Sequence, residues 1–179
     1  MNTIQLAPGR EKSIERKHPW IFSGGVAKES PGIEDGERVQ VINKAGYQLG
    51  IGHYQAGSIR VRMLQFGKKE LPEDFWLKQI KSAYQLRRGL RMMREDNTTF
   101  RLIHGAGDGL PGLVIDIYGV VAVIQCHSIG MYRELSLITE ALKETFGDKL
   151  ELIYHRSENT LSRNFDGGKM EGALWGKAG

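Results

Sequence analysis

Cysteine is almost absent from this sequence: of its 179 residues, only Cys126 is a cysteine. A single thiol excludes a disulfide framework and a cysteine-ligated metal site within one chain, and it is typical of a reducing compartment. No apolar run approaches the roughly eighteen residues that span a bilayer. The first residues, MNTIQLAPGREK, also lack the apolar core of a signal peptide. We therefore expect a cytoplasmic protein.

Recognisable catalytic and metal-binding motifs are lacking as well. No two of the five histidines are three to five residues apart, so a metal site has weak support, and no serine lies in a G-x-S-x-G elbow. The segment 104–112, HGAGDGLPG, is spaced G-x-G-x-G and leads into an apolar strand pattern rather than a helix. A phosphate-binding loop must open a helix. We expect a tight turn here, and no catalytic, cofactor-binding or metal-binding residue in this chain.

Proline is scarce and glycine abundant, with 5 and 23 residues, which favours many turns and short strands. In the first 67 residues, polar and apolar side chains alternate in several short segments, and Gly50 and Gly52 share one strand face, where a neighbouring group can approach closely. This part predicts a small β-barrel or sandwich with one short helix. Its predicted strands are 3–6, a short piece from Val26, 38–43, 47–54 and 59–66.

The remainder of the chain predicts a separate α+β unit. Apolar residues three or four apart predict a long helix over 75–94 and a second over 131–146. Strands are predicted at 100–104, 113–118, 120–126 and 150–154, and no clear element after Ser157. The polar segment 67–72 is the expected boundary between the two parts.

The whole chain has a net charge of +4 and a pI near 9.2. Its positive charge is concentrated in the first half. Residues 68–94 hold eight basic and three acidic residues. The stretch 8–25, PGREKSIERKHPWIFSGG, combines a basic helix, aromatic residues and a glycine turn, which can hold phosphate and stack an unpaired base. The predicted RNA-binding residues are Arg10, Lys12, Arg16, Lys17, His18, Trp20, Arg60 and Arg62. The alternative is that the aromatic residues are core and the charges a solvated face.

Two segments resemble a known bacterial family. LAPGRE at 6–11 with RKHPWIFSG at 16–24 resembles the opening of the S-adenosylmethionine-dependent ribosomal RNA methyltransferases similar to the enzyme that makes 5-methylcytosine in large-subunit rRNA. GDGLPGLVIDIY at 107–118 resembles that family's second signature, and RNFDGGKMEG at 163–172 its connection toward the catalytic domain. The resemblance implies a PUA-like RNA-binding barrel at 1–67, a middle α+β domain at 68–160 and a connector at 161–179.

The family's methyltransferase domain, with its cofactor loop and catalytic cysteine, has no counterpart here, and Cys126 does not inherit the catalytic role. The resemblance therefore implies the RNA-recognition region of such an enzyme, with 23S rRNA as partner and a homodimer as one assembly to test. S-adenosylmethionine is expected only for a full-length parent, and methyl transfer is not expected from residues 1–179 alone. The alternative is a stand-alone PUA-type RNA-binding or ribosome-assembly protein without enzyme activity.

Overall fold

The computed structural model describes residues 1–68, 70–94, 96–161, 165, 167 and 171–177. The chain divides into two compact units, one of Met1–Pro72 with Gly109–Pro111 and the other of Glu73–Asp108 with Gly112–Gly179. The fold class is α+β, as the sequence predicts.

The first unit is built on one six-stranded sheet. Its strand order is β2-β6-β5-β4-β1-β3, and all neighbours are antiparallel except β1 and β4. The predicted strands are confirmed to within a residue. The elements are β1 (Thr3–Leu6), α1 (Glu11–Glu15), β2 (Trp20–Phe22), β3 (Val26–Glu29), β4 (Arg38–Ile42), β5 (Gln48–Tyr54) and β6 (Ile59–Phe66).

This sheet is strongly curled, because its two edge strands are consecutive in the chain. Only the one-turn 3-10 helix Ser23–Gly25 separates β2 from β3, and three residues span at most about 10 Å. Six flat strands would hold those edges about 24 Å apart. The sheet therefore bends into a half-barrel around a core that includes Ile4, Val39 and Val61, each fully buried.

Two glycines allow β5 and β6 to approach closely, as their shared strand face predicts. A side chain at Gly50 would collide with the Gln65 carbonyl oxygen, and one at Gly52 with the Arg62 carbonyl oxygen and the Val61 side chain. We expect Gly52→Ala to destabilise the first unit by about 3 kcal/mol, and to lower its melting temperature by roughly 10 °C or more. Thermal denaturation by circular dichroism measures this.

Gly24→Ala is the matched control, because nothing lies within 4 Å of a Cβ at that position. Equal melting temperatures for the Gly52 and Gly24 variants would contradict the close-approach argument.

The second unit has a five-stranded sheet of order β11-β10-β9-β8-β7, in which only β9 and β10 are parallel. Helix α2 packs against α4 and β7. The strand Glu171–Gly176 lies where the sequence predicts no clear element, and it pairs with β10 along its length. The elements are α2 (Phe75–Gly89), β7 (Thr99–His104), β8 (Leu113–Tyr118), β9 (Val121–Cys126), α3 (Ile129–Arg133), α4 (Leu135–Phe146), β10 (Leu152–Arg156) and β11 (Glu171–Gly176).

Both predicted helices differ from the observed ones. Helix α2 ends at Gly89 rather than at residue 94, and Arg91 then adopts a left-handed φ of 55°. The predicted helix 131–146 is two helices, α3 and α4, with Glu134 between them. Ser128 caps the first of these by accepting a hydrogen bond from the Met131 backbone N–H at 3.4 Å.

Candidate nucleic-acid interface

Helix α1 places a set of cationic side chains on the surface of the first unit. Its only buried residue is Ile14, which is 5% exposed and joins the barrel core. Ser13 Oγ donates to the Arg10 carbonyl oxygen at 2.7 Å, and the His18 backbone N–H donates to the Ser13 carbonyl oxygen at 2.9 Å. These bonds fix the helix at both ends, while one apolar anchor leaves its basic side chains in solvent.

Two adjoining cavities lie beside this helix. The first, of about 330 Å³, has an apolar floor and a mouth lined by Arg10, Ser13, His18, Trp20 and Phe22. The second, of about 310 Å³, is also lined by Arg10, Ser13 and His18, together with Lys12 and Arg16. The first cavity falls within the usual size range of ligand pockets. The two cavities place an apolar concavity and a cationic one side by side.

Three rings border the first cavity. The Trp20 ring lies edge-on to His18 and to Phe22, with centroid separations of 5.9 and 6.4 Å. His18 Nδ1 lies 2.9 Å from the Trp20 carbonyl oxygen and 3.2 Å from its backbone nitrogen, so either tautomer holds the imidazole against β2. Trp20 is half-buried and Phe22 is 50% exposed. Neither is a core residue, and both keep ring surface available for stacking.

The cations of this surface lack carboxylate partners. In the part of the chain that the structure describes, Arg10, Lys12, Arg16 and Lys17 form no ion pair, although Glu11 and Glu15 lie in the same helix. Such side chains are free to neutralise phosphate. We call the group of Arg10, Lys12, Arg16, Lys17, His18 and Trp20 the α1 surface.

The two remaining predicted contacts, Arg60 and Arg62, lie on β6 and are less available. Arg60 Nε is 3.0 Å from Glu29 Oε1, and its guanidinium lies 5.8 Å from the centre of the Tyr54 ring. Arg62 is opposite Trp20 in the β2–β6 pairing, which places it next to the α1 surface. Burial lowers the pKa of Arg62 below its ordinary value, but an arginine stays charged at neutral pH.

Two other suggestive residues, Cys126 and His155, are buried in the second unit. Burial raises the pKa of the Cys126 thiol to about 12, so at neutral pH it is a protonated core residue. His155 is 1% exposed, its Nε2 lies 2.6 Å from Ser157 Oγ, and burial lowers its pKa. It is a satisfied, buried histidine. Among the described residues, no group of three His, Cys, Asp or Glu side chains could hold a metal ion.

The glycine segment 104–112 forms a 3-10 turn, Gly105–Asp108, between two strands, as predicted. Its aspartate has a role that the sequence did not reveal. The Asp108 carboxylate accepts hydrogen bonds from both terminal nitrogens of Arg87, at 2.5 and 2.7 Å. It also accepts one from the His104 backbone N–H, at 2.6 Å. This carboxylate is already occupied, and a strand rather than a helix follows the turn, as the sequence predicts.

Arg87 is one of the eight basic residues of 68–94, but it is only 9% exposed and is not part of a solvated basic surface. It continues the buried series of Trp76, Ile80 and Ala83, while Leu86 is 53% exposed.

No helix of the described chain is long and apolar enough to cross a membrane.

Comparison with known proteins identifies the first unit and the relatives of the chain. Residues 4–66 match the PUA-like domain family. The chain is 36% identical over 177 residues to ribosomal RNA large subunit methyltransferase I of Aeromonas hydrophila, covering 98% of this chain and 44% of the relative. The protein of the same name from Shewanella frigidimarina is 40% identical over 159 residues. The chain thus spans less than half the length of these relatives.

The fold is also shared with solved structures. A protein assigned as a SAM-dependent methyltransferase from Streptococcus mutans superposes with a TM-score of 0.78 at 18% identity, over all of this chain and 44% of that one. A second such structure, an assigned methyltransferase complexed with SAH, gives the same values. The resemblance found in the sequence is confirmed: the chain is homologous to the N-terminal part of the large subunit methyltransferase I proteins, with a PUA-like first unit.

Proposed function

We propose that this chain recognises large-subunit ribosomal RNA through the α1 surface, as the RNA-recognition region of an rRNA methyltransferase. The observation that carries the proposal is a group of four cations that form no ion pair with any described residue, three of which line two cavities beside a half-exposed Trp20. Cations without carboxylate partners bind phosphate, and a half-exposed indole stacks on an unpaired base. Arg62 extends this surface, and Arg60 adds charge at its margin.

The methyltransferase part of the proposal rests on the relatives, whose printed name assigns them to large-subunit rRNA. We infer 23S rRNA as the RNA, the cytoplasm as the compartment, and S-adenosylmethionine as the methyl donor of a full-length parent. We assign no described residue of this chain a role in methyl transfer. The domain scheme 1–67, 68–160 and 161–179 remains a prediction, and part of the connector lies outside the described residues.

A homodimer also remains a prediction. Sedimentation equilibrium checks it directly, because a dimer has twice the 20.1 kDa mass of one chain.

Trp20→Ala tests the stacking role of the α1 surface. We expect an affinity loss of roughly 5- to 150-fold for single-stranded RNA, since stacking of one base on an aromatic ring contributes roughly 1–3 kcal/mol. Fluorescence anisotropy with a labelled large-subunit rRNA fragment measures the loss. A melting curve of the same sample verifies that the half-buried ring was removed without unfolding the unit.

Tyr47→Ala provides the control, because Tyr47 is a 61% exposed aromatic residue on the β4–β5 turn of the same unit. Its loss should leave RNA affinity nearly unchanged. A folded Trp20→Ala variant that binds RNA as well as the Tyr47→Ala variant would overturn the stacking role.

A further inference from the structure

The second unit has a cavity of its own, of about 630 Å³, larger than either cavity beside α1. Its floor is apolar and is made by Phe100, Ile117 and Phe146. Its rim is polar and cationic, with Arg94 and Lys149 on it, and none of the described residues that line it is acidic. An apolar floor with a few converging polar groups is the usual composition of a ligand site.

The polar side of this cavity is held in place by its own hydrogen bonds. Arg94 and Asn97 exchange backbone hydrogen bonds of 3.3 and 3.0 Å, and the Asn97 side-chain amide donates to the Met92 carbonyl oxygen at 3.1 Å. The Gly119 backbone N–H donates to the Thr98 carbonyl oxygen at 2.9 Å. The bond to Met92 holds the Asn97 amide in place, and Asn97 and Thr98 both line the cavity and supply polar groups to it.

Lys149 is the rim cation that has no carboxylate partner among the described residues. Its Nζ donates to the Tyr84 hydroxyl at 3.1 Å and lies 5.8 Å from the centre of that ring. Arg94 is already paired with Asp96 at 2.9 Å, although its side chain is 59% exposed. In the same described part of the chain, Arg88 near the end of α2 and Arg91 in the following turn pair with no carboxylate. The rim therefore offers Lys149, with Arg94 beside it, to an anion attached to an apolar, hydrogen-bonding body.

We infer that this cavity binds one unpaired nucleotide of an RNA strand, with the base in the cavity and its phosphate at Lys149 and Arg94. A nucleobase has an apolar face for the floor and a polar edge for Asn97 and Thr98. The inference rests on the proposed function, because it makes the second unit an additional contact for the same RNA. The second unit then contributes to RNA affinity through a defined site rather than through net charge alone.

The test compares Lys149→Glu with Lys78→Glu in the full chain, using a short single-stranded RNA that carries thiouridine and fluorescein. Lys78 lies near the start of α2, about 20 Å along the helix direction from the segment that begins the cavity lining at Met93. Its side chain is 65% exposed. We expect Lys149→Glu to weaken binding about fivefold and to lower the salt slope by about 0.7. Lys78→Glu should change neither measurably, and Lys149→Arg should restore binding.

Photocrosslinking of the same RNA separates this inference from the proposed function. We expect crosslinked peptides from 92–101 or 145–149 as well as from 10–22. Crosslinks only at 10–22, together with normal RNA binding by Lys149→Glu, would overturn the nucleotide site. The cavity would then not bind RNA, and the proposed function of the α1 surface would stand. Loss of RNA binding and of crosslinks in the unmodified chain would overturn both.

Discussion

Replacing Arg10, Lys12, Arg16 and Lys17 together by glutamine is expected to lower RNA affinity on the order of a hundredfold at physiological salt. Each of these side chains lies on the α1 surface and pairs with no carboxylate of the described residues. Each phosphate contact that is lost costs roughly 0.7 kcal/mol. The slope of log K against log salt should fall by about 3, because about 0.7 is lost for each contact to a single strand. Anisotropy titrations at several salt concentrations measure both quantities.

The matched control removes the same charge elsewhere, by glutamine at Lys28, Lys44, Lys68 and Lys78. All four are exposed and lie outside the α1 surface. If binding depends on geometry, this variant should lose much less affinity than the first. Equal losses of RNA affinity in both variants would mean that binding depends only on net charge. The α1 surface would then not be a specific RNA-binding site.

Asp108→Ala is expected to destabilise the second unit by about 3–5 kcal/mol, the usual cost of leaving one partner of a buried ion pair uncompensated. Arg87 is 9% exposed, and both of its terminal nitrogens contact the Asp108 carboxylate. Its Nε donates to the Arg101 carbonyl oxygen at 3.1 Å, which cannot balance the charge. Hydrogen exchange of the β7–β9 amides reports the stability of this unit.

A second arginine–aspartate pair in the same unit serves as the control. Arg101 and Asp116 also make two hydrogen bonds, of 2.8 and 3.0 Å, but the Arg101 side chain is 45% exposed. Asp116→Ala should therefore cost about 1 kcal/mol or less. The double variant Arg87→Met with Asp108→Leu should recover much of the loss, since no buried charge remains. Equal costs for the two single aspartate variants would contradict the burial argument.

Local sequence patterns predicted most of the strands and the close approach at Gly50 and Gly52. Alternation along a strand and glycine on one strand face are short-range signals, and the structure confirms them. The α1 surface is also largely local, because its residues all lie within 10–20. Phe22 and Ser13 line the first cavity but were not among the predicted contacts, although Phe22 stands two residues from Trp20.

The predicted and the observed elements differ where contacts between residues distant in the sequence determine the structure. Apolar spacing continues through Leu90 and Met93 and so predicts a helix to 94, but Leu90 is 63% exposed and α2 ends at Gly89. Burial of Arg87 requires a partner twenty-one residues away, which no helical period reveals. Strand β11 is only six residues long, has a glycine at its second and last positions, and is determined by its pairing with β10.

Amide chemical shifts of the isotopically labelled chain test most directly whether the α1 surface binds RNA. Titration with a single-stranded fragment of large-subunit rRNA should shift amides between residues 9 and 25 and the Trp20 indole N–H most strongly. Smaller shifts are expected around 92–101. Shifts that leave residues 9–25 and the Trp20 indole unchanged while RNA binds elsewhere, or no shifts at saturating RNA, would contradict RNA binding by this surface.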